Sequence, residues 1–129
     1  MEIFKQFSDD AGISQISSIP VLSAEAEALD QRSAGSPQDD IIQKLTEWMP
    51  AKAWRLRIFE PGTFLDWHPA EGKLLSIVLS GEFEIGTSDG KSFRCKPGTL
   101  RIVSDTGKGH TARVIGNDPC MLLMIDITE

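Results

Sequence analysis

No apolar run in this 129-residue chain approaches the roughly 20 residues a membrane-spanning helix requires. The longest, around Leu74 to Leu79, is short and holds Ser76, so no crossing of a bilayer is expected. Basic residues are scarce as well: 13 Lys and Arg against 19 Asp and Glu leave a net charge of −6. That balance repels phosphate backbones and argues against nucleic acid as a partner. Cysteine is limited to Cys95 and Cys120, with no CxxC spacing. They read either as two small buried hydrophobes with free thiols, or as a disulfide or thiolate ligand. GxGxxG and Walker patterns are missing, and so is strand-helix alternation, which excludes a Rossmann or P-loop enzyme. The opening residues Met1 to Asp10 lack a basic region followed by an apolar stretch, so a cytoplasmic location is expected.

What is present predicts one structural domain. At this length about two thirds of the unfolded surface can be buried, and 40% hydrophobic residues supply a core without metal or disulfide staples. The texture changes near residue 50, dividing an N-terminal arm (1–50) from a body (51–129). In the arm, Ser36-Pro37-Gln38-Asp39 has capping-box spacing with Pro at the first helical position. Ile41, Leu45, Trp48 and Met49 then make one apolar face before Pro50, which predicts a helix over about 37–49. Trp48 reads as its anchor on the body or as a lid over a pocket. The arm also carries Phe4, Phe7, Ile13 and Ile16 without a complete core of its own, so it must dock on its own body or a partner's.

In the body the period drops to two. Trp54, Leu56 and Ile58 alternate with Arg55 and Arg57 before Pro61-Gly62. Further strands are expected at Phe64 to His68, Leu74 to Leu79, Glu82 to Gly86, Ser92 to Cys95, Leu100 to Val103, Thr111 to Ile115 and Met121 to Ile127. Turn residues separate most of them, among them Ser80-Gly81, Pro97-Gly98 and Asn117-Asp118-Pro119. Many short strands at this spacing predict an all-β sandwich or barrel.

Only two histidines exist, His68 and His110. Gly62, five residues and then His68, with Gly81 at the closing position, resemble the first cupin motif, G(x)5HxH(x)3-4E(x)6G. The second, G(x)5PxG(x)2H(x)3N, is approached by Lys96-Pro97-Gly98 and Thr106-Gly107-Lys108-Gly109-His110, with one residue more than usual between Pro97-Gly98 and the histidine. Over residues 52 to 127 the chain thus resembles a small single-domain cupin of the RmlC-like superfamily, from a bacterial subgroup without a settled function. The resemblance implies an all-β double-stranded β-helix, jelly-roll-like, here with an N-terminal arm and one helix, and a homodimer. The departures fall on the ligands, because Ala70 stands at the second histidine and Leu74 at the glutamate.

By period two, Asp66 shares a face with His68 and could complete a two-imidazole, one-carboxylate site with His110. That set suits iron, manganese, zinc or nickel. Alternatively Asp66 caps the turn after Pro61-Gly62, and the site holds no metal. Glu71 reads as another ligand or as a solvated loop carboxylate. Ala70, Leu74 and Ser76 are expected to line the pocket. Arg101 either lines the barrel and binds a carboxylate or lies on the surface; Arg113 is an exposed charge or an anion clamp. Two functions follow. One is a divalent-metal-dependent oxygenase or isomerase acting on a small polar metabolite, to which a metal-free acid–base isomerase is a close variant. The other is a non-catalytic, metal-free module that binds or senses a small molecule.

Overall fold

A computed structural model describes residues 2–20 and 48–129 of the chain. All regular structure in them is strand: β1 (Glu2–Ser8), β2 (Ser14–Pro20), β3 (Ala53–Phe59), β4 (Phe64–His68), β5 (Leu74–Ser80), β6 (Glu82–Thr87), β7 (Ser92–Cys95), β8 (Leu100–Val103), β9 (His110–Ile115) and β10 (Cys120–Asp126). The eight body strands sit where the period-two pattern and its turn residues predict them. The helix expected over about 37–49 lies almost wholly outside the described residues. Its last two, Trp48 and Met49, carry no regular structure, and Trp48 is 93% exposed instead of anchored on the body. Among the described residues no helix is long and apolar enough to cross a membrane.

The strands form two sheets, in the orders β2-β1-β8-β5-β10-β3 and β4-β9-β6-β7. Counted from β3, the body alone reads one-eight-three-six in one sheet and two-seven-four-five in the other. Apart from the β6–β7 hairpin, each body strand crosses to the opposite sheet, the winding of a jelly roll. Between the sheets lies a core of Val78, Phe83, Ile85, Cys95, Ala112, Val114, Cys120 and Leu122. Both thiols are free and fully buried, and burial pushes Cys95 up to about 11, so they behave as small hydrophobes.

The first twenty residues add a hairpin that period two does not reveal. Ile3 is buried on one face of β1 and Gln6 on the other, so the strand has no polar face to mark it. Its turn is closed by Asp9 Oδ1, which accepts from Ala11 N–H at 2.9 Å and Ile13 N–H at 3.0 Å. β1 then pairs in parallel with β8, Gln6 beside Val103, which carries Gln6 into the barrel.

β3, at the other edge of the six-stranded sheet, reverses the usual pattern. Arg55 lies directly opposite Met124 and Arg57 opposite the core residue Leu122. Facing residues on neighbouring strands share a side, so both arginines look inward. Trp54, Leu56 and Ile58 look outward, and Trp54 is 70% exposed.

Candidate functional site

His68 ends β4 and His110 begins β9, and the two are direct cross-strand partners. Their rings lie 4.5 Å apart, tilted by 54°. Two local features bring them together. Gly109 adopts φ +73°, and a Cβ there would collide with the His68 carbonyl, so only glycine allows β9 to approach this closely. A bulge between Leu65 and His68 then shifts the β4 register by one residue. Leu65 and His68 thereby share the inner side, and Asp66 is displaced from it. Asp66 is exposed, with Oδ1 accepting from Trp67 N–H at 2.9 Å. The unbroken alternation assumed for residues 66 and 68 does not hold, and the structure joins His68 to His110 without Asp66.

The carboxylate that does reach the pair, through His110, is Asp105. It is buried, and its Oδ2 receives His110 Nδ1 at 2.6 Å and Gln6 Nε2 at 2.9 Å, while Oδ1 receives Ala70 N–H at 3.0 Å. Gln6 Oε1 in turn accepts from Arg101 Nη1 at 2.8 Å. Arg101 is only 6% exposed and lies over the Phe83 ring, 5.2 Å from its centroid. A chain of buried polar groups thus runs Arg101, Gln6, Asp105, His110, and the half-buried His68 ring lies beside its end. Counting PxG(x)2H back from His110 would have found Asp105: Gly107 then takes the motif's glycine and Asp105 its proline.

Protonation states follow from these contacts. Burial opposes ionisation of Asp105, but the bonds from His110, Gln6 and Ala70 outweigh it and hold the carboxyl below its ordinary value. Burial lowers His110; the Asp105 bond resists but does not cancel it, and the charges of Arg101 and His68 push the same way. The pair is therefore carboxylate and neutral imidazole, with the ring proton on Nδ1 and the Nε2 lone pair free. His68 Nδ1 lies 2.6 Å from the Asp66 carbonyl, an acceptor, so that nitrogen carries a proton.

Both histidines line a cavity of about 960 Å³ between the sheets. Ala70 and Leu74 line it too, whereas Ser76 is buried on the inner face of β5 without reaching the cavity. Glu71 lies at the rim, exposed. Arg101 is on the wall and Arg113 is outside, stacked on Phe64 at 4.7 Å. Arg55 and Arg57, which sequence periodicity did not single out, complete the cavity on the β3 side.

Two facing sheets wound in this order, with histidines of β4 and β9 meeting between them, decide the architecture. The protein has the cupin fold. Solved structures similar to it include a cupin 2 conserved barrel domain protein from Leptotrichia buccalis, with 27% identity over 64% of this chain and 38% of that one, TM-score 0.49. Bacillus subtilis oxalate decarboxylase, described with Mn(II) centres, is similar at 27% identity over 58% of this chain and 21% of its own, TM-score 0.46. A cupin domain from Bordetella pertussis is 17% identical over 59% of this chain and 80% of that one, TM-score 0.48. The chain thus spans well under half the length of the first two. No family model and no curated protein matches it.

The donor set does not fit a cupin metal. The positions of the motif's second histidine and glutamate are Ala70 and Leu74, apolar parts of the cavity wall. Among the described residues no group of three His, Cys, Asp or Glu side chains could hold an ion. Asp105 already accepts three hydrogen bonds, and Asp66 is turned away. Two imidazoles alone leave a divalent ion short of protein ligands.

Proposed function

We propose that the protein binds a small organic metabolite in the barrel cavity and that His110 exchanges a proton with it, without a metal. The observation that carries this reading is the buried 2.6 Å bond from His110 to Asp105. A neutral imidazole anchored through Nδ1 presents Nε2 as an oriented base, and the carboxylate stabilises the imidazolium that proton abstraction creates. The second imidazole, 4.5 Å away, supplies a partner able to return a proton at another position, as isomerase chemistry requires. A second reading, a sensing module without chemistry, is favoured by one observation: Ala70 and Leu74 make part of the wall apolar where the motif has ligands.

The experiment is a metabolite screen by thermal shift, followed by incubation of each stabilising compound in D2O with wild type and His110→Gln. The acid–base reading expects deuterium to enter a carbon position of the ligand with wild type, and at least 100-fold more slowly with the variant. Binding without exchange would favour the sensing module. Exchange that appears only after adding iron, manganese, zinc or nickel would overturn the metal-free reading.

As partner we propose a second copy of the chain. The support is that β3 presents an edge without a strand neighbour among the described residues, beside an outer face of Trp54, Leu56 and Ile58. An unpaired apolar edge is a liability that self-pairing removes. Sedimentation should show a dimer for wild type and a monomer for Leu56→Asp; a monomeric wild type at tens of micromolar would contradict it.

A further inference from the structure

The N-terminal hairpin grips the loop that leads into His110. β8 ends at Val103 and β9 begins at His110, so the polar backbone of residues 104–109 needs partners from elsewhere. The hairpin bonds to Ser104, Asp105, Thr106 and Gly109. Ser104 N–H donates to the Gln6 carbonyl at 2.9 Å, and Gln6 Nε2 donates to Asp105. Thr106 N–H donates to Ser8 Oγ at 2.9 Å, and that hydroxyl returns a bond to the Thr106 carbonyl at 3.2 Å. Ser14 Oγ donates to the Gly109 carbonyl at 2.8 Å, one residue before the imidazole. Gln6 and Ser14 are fully buried. Burying an amide and a hydroxyl costs free energy unless each is bonded, and apolar residues would cover the sheet as well. Polarity at these two positions is therefore directed at the loop.

Gln6 also has a fixed direction. Arg101 can only donate, and its Nη1 meets Gln6 Oε1 at 2.8 Å. Turning the amide over would set its NH2 against the guanidinium and its carbonyl against Asp105, two contacts between like poles. The amide nitrogen thus faces Asp105 Oδ2, the oxygen that also receives His110 Nδ1. With Ala70 N–H on Oδ1, each of these bonds reaches Asp105 from a donor. A guanidinium that stays charged sets the sense of every bond as far as the ring. Neither Gln6 nor Asp105 lines the cavity, so both stand behind its wall.

We infer that the N-terminal hairpin completes this site from the far end of the sequence: Gln6 is a positioning residue that, oriented by Arg101, holds Asp105 where it fixes the His110 proton on Nδ1. Gln6 acts through Asp105 and does not touch the ligand. This role deepens the proposed function and rests on it only in taking His110 as the reacting group.

Proton and nitrogen-15 NMR of the ring and the amide, with no ligand added, is the experiment. In the wild type both hydrogens sit within about 2 Å of one oxygen, at most about 4 Å apart, so an NOE should join Gln6 Nε2–H to His110 Nδ1–H. Gln6→Met keeps the length of the side chain and removes both of its bonds. At pH 7 at least about a third of its His110 rings should carry the proton on Nε2, against a single Nδ1–H form in the wild type. Ile3→Val, which thins the packing on the hairpin's other face, should leave the wild-type form intact. A Gln6→Met protein that keeps the single Nδ1–H form would overturn the assignment, and so would a mixture in both variants. The wild-type NOE decides if Gln6→Met fails to fold, and its absence would overturn the assignment too. A metabolite screen without proton exchange would end the proposed reaction and leave each of these results readable.

Discussion

The two ends of the cavity treat their polar groups in opposite ways. At the histidine end, Asp105 is enclosed and accepts three hydrogen bonds, from His110, Gln6 and Ala70, and the imidazole is buried beside it. At the β3 end, Arg55 and Arg57 are exposed on an edge strand, and Arg57 lies over the Phe59 ring at 4.6 Å. The first arrangement fixes one tautomer and one ring position. The second leaves long side chains free to adjust to what enters. A barrel that held both ends alike would be either a rigid core or a solvated groove; the contrast is what the proposed function would draw on, one end orienting His110 and the other admitting a ligand.

The contrast breaks most completely at Asp105. Asp105→Ala strips the acceptor from three buried donors at once, and should cost about 3 kcal/mol, roughly 10 °C in Tm. A loss below 1 kcal/mol in chemical denaturation would mean that the histidine end is held by something else. Gly109→Ala is the next largest. Its left-handed backbone and the His68 carbonyl in its path should cost about 2 kcal/mol and part the two imidazoles, seen as loss of ring-to-ring NOEs.

Acid sharpens the same comparison. His110 is held below its ordinary 6.5 in the folded chain, so below pH 6.5 the unfolded state takes up the proton first and stability falls as pH drops. Asp105, held below 3.8, adds a second loss from about that pH downward. Each can contribute a slope of at most about 1.4 kcal/mol per pH unit. Denaturation between pH 8 and 3 should show this decline, much reduced in His110→Gln above pH 4; a stability that rises as pH falls below 6.5 would reverse the sign. The smallest effect belongs to the other end. Arg57→Gln should change stability by no more than about 0.5 kcal/mol, because the group is exposed and its loss exposes no buried donor.

The same two regions show what a sequence can reveal here. Strands and turns were legible because inward and outward residues alternate along most of β4 to β10, and motif spacing singled out His68 and His110, which face each other across β4 and β9. Asp66 was misplaced because a bulge adds one residue to β4, and period-two reasoning has no way to register it. Asp105 sits in the loop after β8, where no period marks a residue as buried. Its partner Gln6 is 99 residues away in the chain, so neither position announces the other. Arg101 lies on the inner face by alternation, opposite Ser76, one of the two placements its strand allowed, and Arg55 and Arg57 turn inward because β3 offers its apolar side outward. Each miss is a tertiary contact overriding a local pattern.

The central claim is that Asp105 holds His110 as a neutral imidazole with its proton on Nδ1. Nitrogen-15 spectra of the histidine ring nitrogens across pH 4 to 8 test it most directly. The account predicts a His110 with Nδ1 protonated and Nε2 bare at pH 7, still neutral below pH 6.5. A His110 carrying its proton on Nε2 at pH 7, or titrating above 6.5, would contradict it.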